Sequence, residues 1–383
     1  MINEWKGFDL SRRVRNIIKA FNKEKINSPE EFCIIVNTPC YFGFGNNKRP
    51  KEYWEDPAVM VGFQENAFIS HISQIDDDTM PYFMPWFGTG VLASAFGCPI
   101  KEATGNGDDP VVYKPVVKNL YDVEKLKKPD PYNDGLMPKV LKFIDYAKQN
   151  SDLPIGLTDM NSPLSTLIQI CGYENTFLWM YDKPDLIHYM MNMITEAFID
   201  WVKIQKQHSG YDLDETGGLQ GIVSPKGVGV WVSDDDLITM PPVLYEEFVV
   251  PYYSRIFKEF GSGHVHYCGV GNHQIDNLLK IENICAINNS PMGNFEAFSQ
   301  LVKKAGCGRL TIEIQDAAPI DIETYYHSLF DRIDDIRGIM LATFVEDNLG
   351  IDNNGNTVIV ERDTIADAKR VVKTLRECIA KKI

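Results

Sequence analysis

Gly263-His264-Val265-His266-Tyr267-Cys268-Gly269 reads as a strand that runs out into histidine, cysteine and glycine. Ile284-Cys285-Ala286-Ile287-Asn288, Leu310-Thr311-Ile312-Glu313 and Gly338-Ile339-Met340-Leu341-Ala342-Thr343-Phe344 follow it as further short apolar runs. Helical stretches around 274–281, 294–305 and 322–335 separate them. Short apolar strands alternating with helices are the pattern of a parallel sheet with covered faces. Upstream, Gly227–Ser233 with helix over 242–260, Ile155–Asp159 with helix over 166–208, and Cys33–Asn37 continue the alternation. Seven candidate strands and one unclear element near residues 69–84 suit a closed eight-stranded barrel. The expectation is α/β: a single (β/α)8 TIM barrel over residues 1–383, with a helical N-terminal extension over 1–30.

The polar residues recur at one place in this rhythm. Asn37, Asp159, Ser233 with Asp234, His266 with Cys268, Asn288, Glu313 and Glu346 all fall at or just past the C-terminal ends of candidate strands. In such a barrel those ends converge on the mouth that carries the active site. Strands often end in polar loop residues, so no single instance decides anything. The repeated use of histidine, cysteine and carboxylate points to a site.

The chain has 383 residues, 44% of them hydrophobic and 24% charged, which excludes collagen-like and wholly disordered classes. Fifty-three acidic against 38 basic residues give a net charge of −15. That charge repels phosphate backbones and anionic lipid, so nucleic acid and membrane surfaces are not expected partners. No apolar run has the length of a membrane span. The N-terminus lacks a signal-peptide pattern, and the eight cysteines are scattered. Reduced thiols in a cytoplasmic protein are therefore expected. The helix over Leu10–Lys25 carries Arg12, Arg13 and Arg15, expected on a solvated face. Residues from Gly43 to Pro57 read as a long loop, and those from Pro110 to Pro138 as a surface excursion.

Residues two apart on a strand share a face, so His266 and Cys268 can reach one ion together, with His264 a weaker third candidate. Imidazole and thiolate suit Zn²⁺, whose catalytic sites commonly have three protein ligands and one open position. The plainer alternative is a hydrogen-bonded core histidine and a cysteine that fills space. Asp76-Asp77-Asp78 precedes an aromatic, Pro- and Gly-rich run, which could hold Asp77 in a dry pocket for acid–base work, or form a solvated turn. Asp234-Asp235-Asp236 and Asp159-Met160-Asn161-Ser162-Pro163 pose the same choice, with Asp236, Asn161 and Ser162 as alternative helix caps. Gly43-Phe44-Gly45 and Gly105–Asp108 read as turns. No Gly-x-Gly-x-x-Gly after a strand, Walker loop, Gly-x-Ser-x-Gly elbow or Cys-x-x-Cys is present. These absences argue against dehydrogenase, NTPase and serine-hydrolase classes.

The order and spacing of Asp76–Cys98, Asp159–Leu164, Tyr181–Asp185, Val232-Ser233-Asp234, Tyr245–Tyr252 and His266–Gly269 resemble the uroporphyrinogen decarboxylase superfamily. The likeness spans roughly residues 60 to 380 and implies one (β/α)8 barrel. True decarboxylases of that superfamily hold a polycarboxylated tetrapyrrole with an N-terminal arginine motif and a cleft aspartate. The corresponding stretch Cys33–Tyr41 contains no arginine or lysine, which counts against haem biosynthesis. The resemblance is nearer to the corrinoid-dependent methyltransferases, whose zinc sits on His-x-Cys and a later cysteine. It implies zinc on His266 and Cys268, and cobalamin carried on a partner corrinoid protein. The implied substrate is a small methyl donor or acceptor: a methoxylated compound, methanol, a methylamine or a thiol. Where the later cysteine belongs, the chain reads Leu341-Ala342-Thr343-Phe344-Val345-Glu346, which makes Glu346 the expected third ligand. Where related zinc methyltransferases place a glutamate, it has Asn288-Asn289. Asp77, Asp159 and Asp234 are the expected catalytic carboxylates. Two alternatives stay open: a metal-free decarboxylase of a small acid, and a non-catalytic ligand-binding barrel. The sequence also leaves open a homodimer.

Overall fold

β1 (Ile34–Asn37), β2 (Val230–Ser233), β3 (Gly263–Cys268), β4 (Ile284–Ser290), β5 (Thr311–Ile314) and β6 (Ile339–Phe344) grow from the β-branched runs of the sequence. In the computed structural model they form one sheet in the order β1-β6-β5-β4-β3-β2, with every neighbouring pair parallel. The structure describes residues 1–38, 49–105, 108–218, 221–347, 349–352 and 355–383. The loop expected from Gly43, the turns at Gly43–Gly45 and Gly105–Asp108, and the stretch Cys33–Tyr41 fall wholly or partly outside them.

Two irregular segments close the ring into a TIM-type barrel. Phe83 bridges Ile155 and Asn161 bridges Ser233, both in parallel. Asp78 N–H donates to the Ile34 carbonyl at 2.6 Å, joining the first of these segments to β1. Pro81, Pro85 and Pro154 explain why these segments pair so sparsely, since proline offers no N–H to a ladder. A Cβ on Gly156 would lie 2.3 Å from the Gly218 carbonyl, so glycine is required where that chain presses against the second segment. The unclear element near 69–84 is thus the end of one helix and the start of one irregular strand.

The helices cover the outside. α1 (Ser11–Phe21) closes the N-terminal end of the barrel: its Ala20 carbonyl accepts from Thr311 Oγ1 at 3.4 Å, and the Phe21 ring meets the His264 ring at 5.4 Å. α2 (Pro57–Gln74) begins where the Asp56 side chain accepts from Ala58 N. The helix expected over 166–208 is three helices, α3 (Pro163–Cys171), α4 (Tyr173–Asp182) and α5 (Pro184–Ser209). Gly172 at φ 78° ends the first, and Pro184 starts the third. Pro251 likewise splits the helix expected over 242–260 into α6 (Pro242–Phe248) and α7 (Val250–Glu259). α8 (Phe295–Ala305) is capped by Asn294, whose side chain accepts from Ala297 N at 3.2 Å. α9 (Ile322–Phe330) and α10 (Thr364–Ala380) pack together after β5 and β6. Among the described residues, no helix is long and apolar enough to cross a membrane.

Candidate metal centre

Side-chain alternation on β3 turns His264, His266 and Cys268 into the barrel. Register then fixes their neighbours. His266 lies opposite Ser233 on β2 and Asn288 on β4, and Asn288 lies opposite Glu313 on β5. One inward row therefore runs Ser233, His266, Asn288, Glu313 across four adjacent strands, and all four are buried. The Trp231 ring lies one layer deeper, 5.3 Å from the His264 ring and 5.7 Å from the His266 ring.

At the mouth, Cys268 Sγ lies 3.7 Å from His266 Nε2. Asp235 Oδ1, from the turn that follows β2, lies 3.6 Å from the same nitrogen and accepts from Cys268 N–H at 2.7 Å. One donor atom from each of Asp235, His266 and Cys268 lies within 4.8 Å of the others. A nitrogen, a sulfur and a carboxylate oxygen are donors of the kinds that hold zinc, and three of them are one short of a closed tetrahedral set. Burial pushes the Cys268 thiol well up, and the charges of Asp235 and Asp316 push it further, so without a cation it stays protonated.

Two of the three expected ligands, His266 and Cys268, are brought together. Glu346 is buried beyond the end of β6, outside this cluster, and bridges Leu349 through its backbone. Asp234 sits beside the cluster rather than in it. Its N–H donates to the His266 carbonyl at 2.8 Å, and its carboxyl accepts from Tyr245 at 2.8 Å and Ser162 at 3.2 Å. Burial, against the pull of those hydroxyls, raises its carboxyl to about 7. Asp234 thereby ties the second irregular segment, β2 and β3 together and sets the turn that presents Asp235. Ser162 also caps α3 through Ser165 N, as its sequence context suggests, whereas Asp236 caps nothing and takes the Tyr173 hydroxyl. Asp159 is buried next to Met160, whose sulfur accepts from Gln205 of α5.

Asp77 and Asp78 lie at β1, where they hold the fold together. Asp77 Oδ1 takes Arg13 and His71, each at 3.0 Å, while Oδ2 takes Val36 N at 2.8 Å and Thr79 Oγ1. Burial opposes its charge, but His71, Arg13 and Thr79 outweigh it and hold the carboxyl at about 2. Arg12 and Arg13 accordingly form no solvated face: Arg13 is buried, and Arg12 pairs with Asp76 at 2.8 Å. Asp78 accepts from Ile34 N and Asn16 Nδ2, yet burial, reinforced by the Asp77 charge, raises it to about 7. A raised carboxyl binds its proton more tightly in the folded than in the unfolded chain. Asp78 therefore stabilises less and less as pH climbs from about 4 to about 7. Asp77, held at about 2, is ionised in the folded chain across that window, and its own small contribution near pH 4 is common to wild type and an Asp78 variant, so it cancels between them. Urea unfolding of Asp78→Asn against wild type is expected to shift in favour of the variant by about 1–4 kcal/mol between pH 4 and pH 8. An unchanged gap would show that Asp78 does not carry this dependence.

Sequence reasoning singled out Asp235 only as one member of the acidic triplet and not as a ligand, and it missed Asp316. Asp316 follows β5 and accepts from Ser290, Tyr325 and Met292 N beside the cluster, and burial raises its carboxyl. Its only sequence signal is its place two residues past Ile314.

The model of the uroporphyrinogen decarboxylase (URO-D) family matches residues 69–213. Within those residues the chain is similar to that family. A methylated-thiol–coenzyme M methyltransferase from Methanosarcina mazei is 26% identical over 189 residues, 48% of this chain and 46% of that protein. The match to this curated relative thus spans about half the length of each protein. A solved structure described as a methyltransferase from Methanosarcina mazei superposes with a TM-score of 0.65 at 17% identity, covering 97% of this chain and 99% of that one. That likeness is one of fold, and it covers almost the whole chain, including β3, which lies beyond the 69–213 match.

Proposed function

We propose that this protein is a zinc-dependent methyltransferase of the URO-D superfamily. Its methyl group would pass between a small methylated substrate and the corrinoid of a partner protein. The observation that carries the reading is the convergence of Asp235, His266 and Cys268 at the barrel mouth. The curated relative named for methylated thiols supports methyl transfer over decarboxylation. Arg49 is buried and engaged by Asp109 at 2.8 Å, so it adds no ready cation for a polycarboxylated tetrapyrrole.

His266 Nε2, Cys268 Sγ and Asp235 Oδ1 would hold the metal. Bound zinc would supply Lewis acidity toward a substrate oxygen or sulfur. The protein's own residues do the rest. Asp234 sets the turn that carries Asp235, and the Cys268 N–H holds the Asp235 carboxylate in place. An open hollow of about 480 Å³ begins at Gly269, the residue after Cys268, and is bordered by Val270, Met292, Phe295 and Arg332.

The test is transfer of a labelled methyl group from each donor class to added cobalamin. Zinc-loaded protein is expected to transfer it and chelator-treated protein to lose the activity. Equal rates before and after chelation would remove zinc from the account.

Asp235 and Glu346 are alternative third ligands, and we assign the place to Asp235. Asp235→Asn is expected to weaken zinc binding by ~10–100-fold in competition with a chromophoric chelator, with Glu346→Gln changing it far less. The reverse order would move the third ligand to Glu346.

A further inference from the structure

Behind His266 runs a chain of buried polar side chains that no step above has used. His266 Nδ1 meets Asn288 Oδ1 at 2.6 Å, and Asn288 Nδ2 donates to Glu313 Oε2 at 3.1 Å. Glu313 Oε1 lies 2.9 Å from His264 Nδ1, and His264 Nε2 lies 3.0 Å from Ser224 Oγ. Asn288 and Glu313 are fully buried in the barrel interior. Stability alone does not call for a carboxylate there, because an apolar side chain of similar size avoids its desolvation.

The direction of donation along this chain is forced from one end. Glu313 Oε2 accepts from Asn288 Nδ2, which turns the NH₂ of that amide toward Glu313. The carboxamide oxygen of Asn288 then faces His266 and can only accept, so His266 must carry its proton on Nδ1. The lone pair is left on Nε2, the nitrogen that faces Cys268 and Asp235. We propose that Glu313, acting through Asn288, is a positioning residue that fixes His266 in the Nδ1–H tautomer and so readies Nε2 as a ligand atom. This rests on the metal reading of the site for its purpose, but the tautomer itself exists without the metal. Partners of this kind orient ligand histidines in metal sites generally, and their loss typically costs 10–100-fold in affinity.

The experiment uses nitrogen-15 NMR of histidine-labelled, metal-free protein, in which ring-nitrogen shifts distinguish a protonated nitrogen from one with a lone pair. His266→Gln identifies the signals. Wild type is expected to show the proton on Nδ1. Glu313→Met frees the Asn288 amide to rotate and is expected to give a tautomer mixture and ~10–100-fold weaker zinc binding. Glu313→Gln can still offer a carbonyl to Asn288 and is expected to restore the wild-type tautomer. Asn288→Leu provides a second route to the same loss should Glu313→Met fail to fold. A proton on Nε2 in wild type, or an unchanged tautomer in both disrupting variants, would overturn the proposal. If wild type shows the expected tautomer yet binds no zinc, the positioning chain stands and the metal reading falls.

Discussion

Cys268→Ala is expected to strip the protein of its zinc and of methyl transfer, by a larger factor than the ~10–100-fold that ligand-orienting partners cost. The cysteine is the only sulfur in the cluster, and its backbone N–H also grips Asp235. Its removal therefore deletes one donor while the backbone hold on a second remains. His266→Ala should match it, since His266 Nε2 lies within 3.7 Å of both other donor atoms. Zinc content by elemental analysis and labelled-methyl transfer should fall together in both variants. If metal content stays at the wild-type level in both, these residues are not the ligands.

Asp77→Asn is expected to destabilise the fold by about 3–5 kcal/mol, the cost typical of breaking a buried ion pair on one side. Asp77 is fully buried and joins four elements at once: Arg13 of α1, His71 of α2, Val36 of β1 and Thr79 of the first irregular strand. An asparagine keeps one acceptor oxygen and leaves the Arg13 guanidinium without its counter-charge. Denaturant unfolding measures this directly. A variant with wild-type stability but no activity would instead make Asp77 a catalytic carboxylate.

That contrast shows what a sequence can and cannot convey. Strands were legible because parallel strands buried on both faces read as continuous apolar runs, and β3, β4 and β6 fall within two residues of those runs. The two segments that close the barrel were hard to see because their prolines suppress the ladder that makes a strand regular. His266 and Cys268 were legible because a spacing of two is meaningful on any strand. Asp235 was not, because the acidic triplet 234–236 leaves the strand and enters a 3₁₀ turn at Asp235, where strand alternation no longer says which carboxylate faces the mouth. Asp77 carries the composition of an active-site acid. Only the tertiary structure shows its oxygens already taken by Arg13, His71 and backbone N–H groups.

X-ray absorption at the zinc edge of the purified, untreated protein tests the central claim most directly. The account predicts about one zinc per chain, with a single sulfur neighbour at about 2.3 Å and nitrogen and oxygen neighbours at about 2.0–2.2 Å. A coordination shell without sulfur, or protein that takes up no zinc, would contradict it.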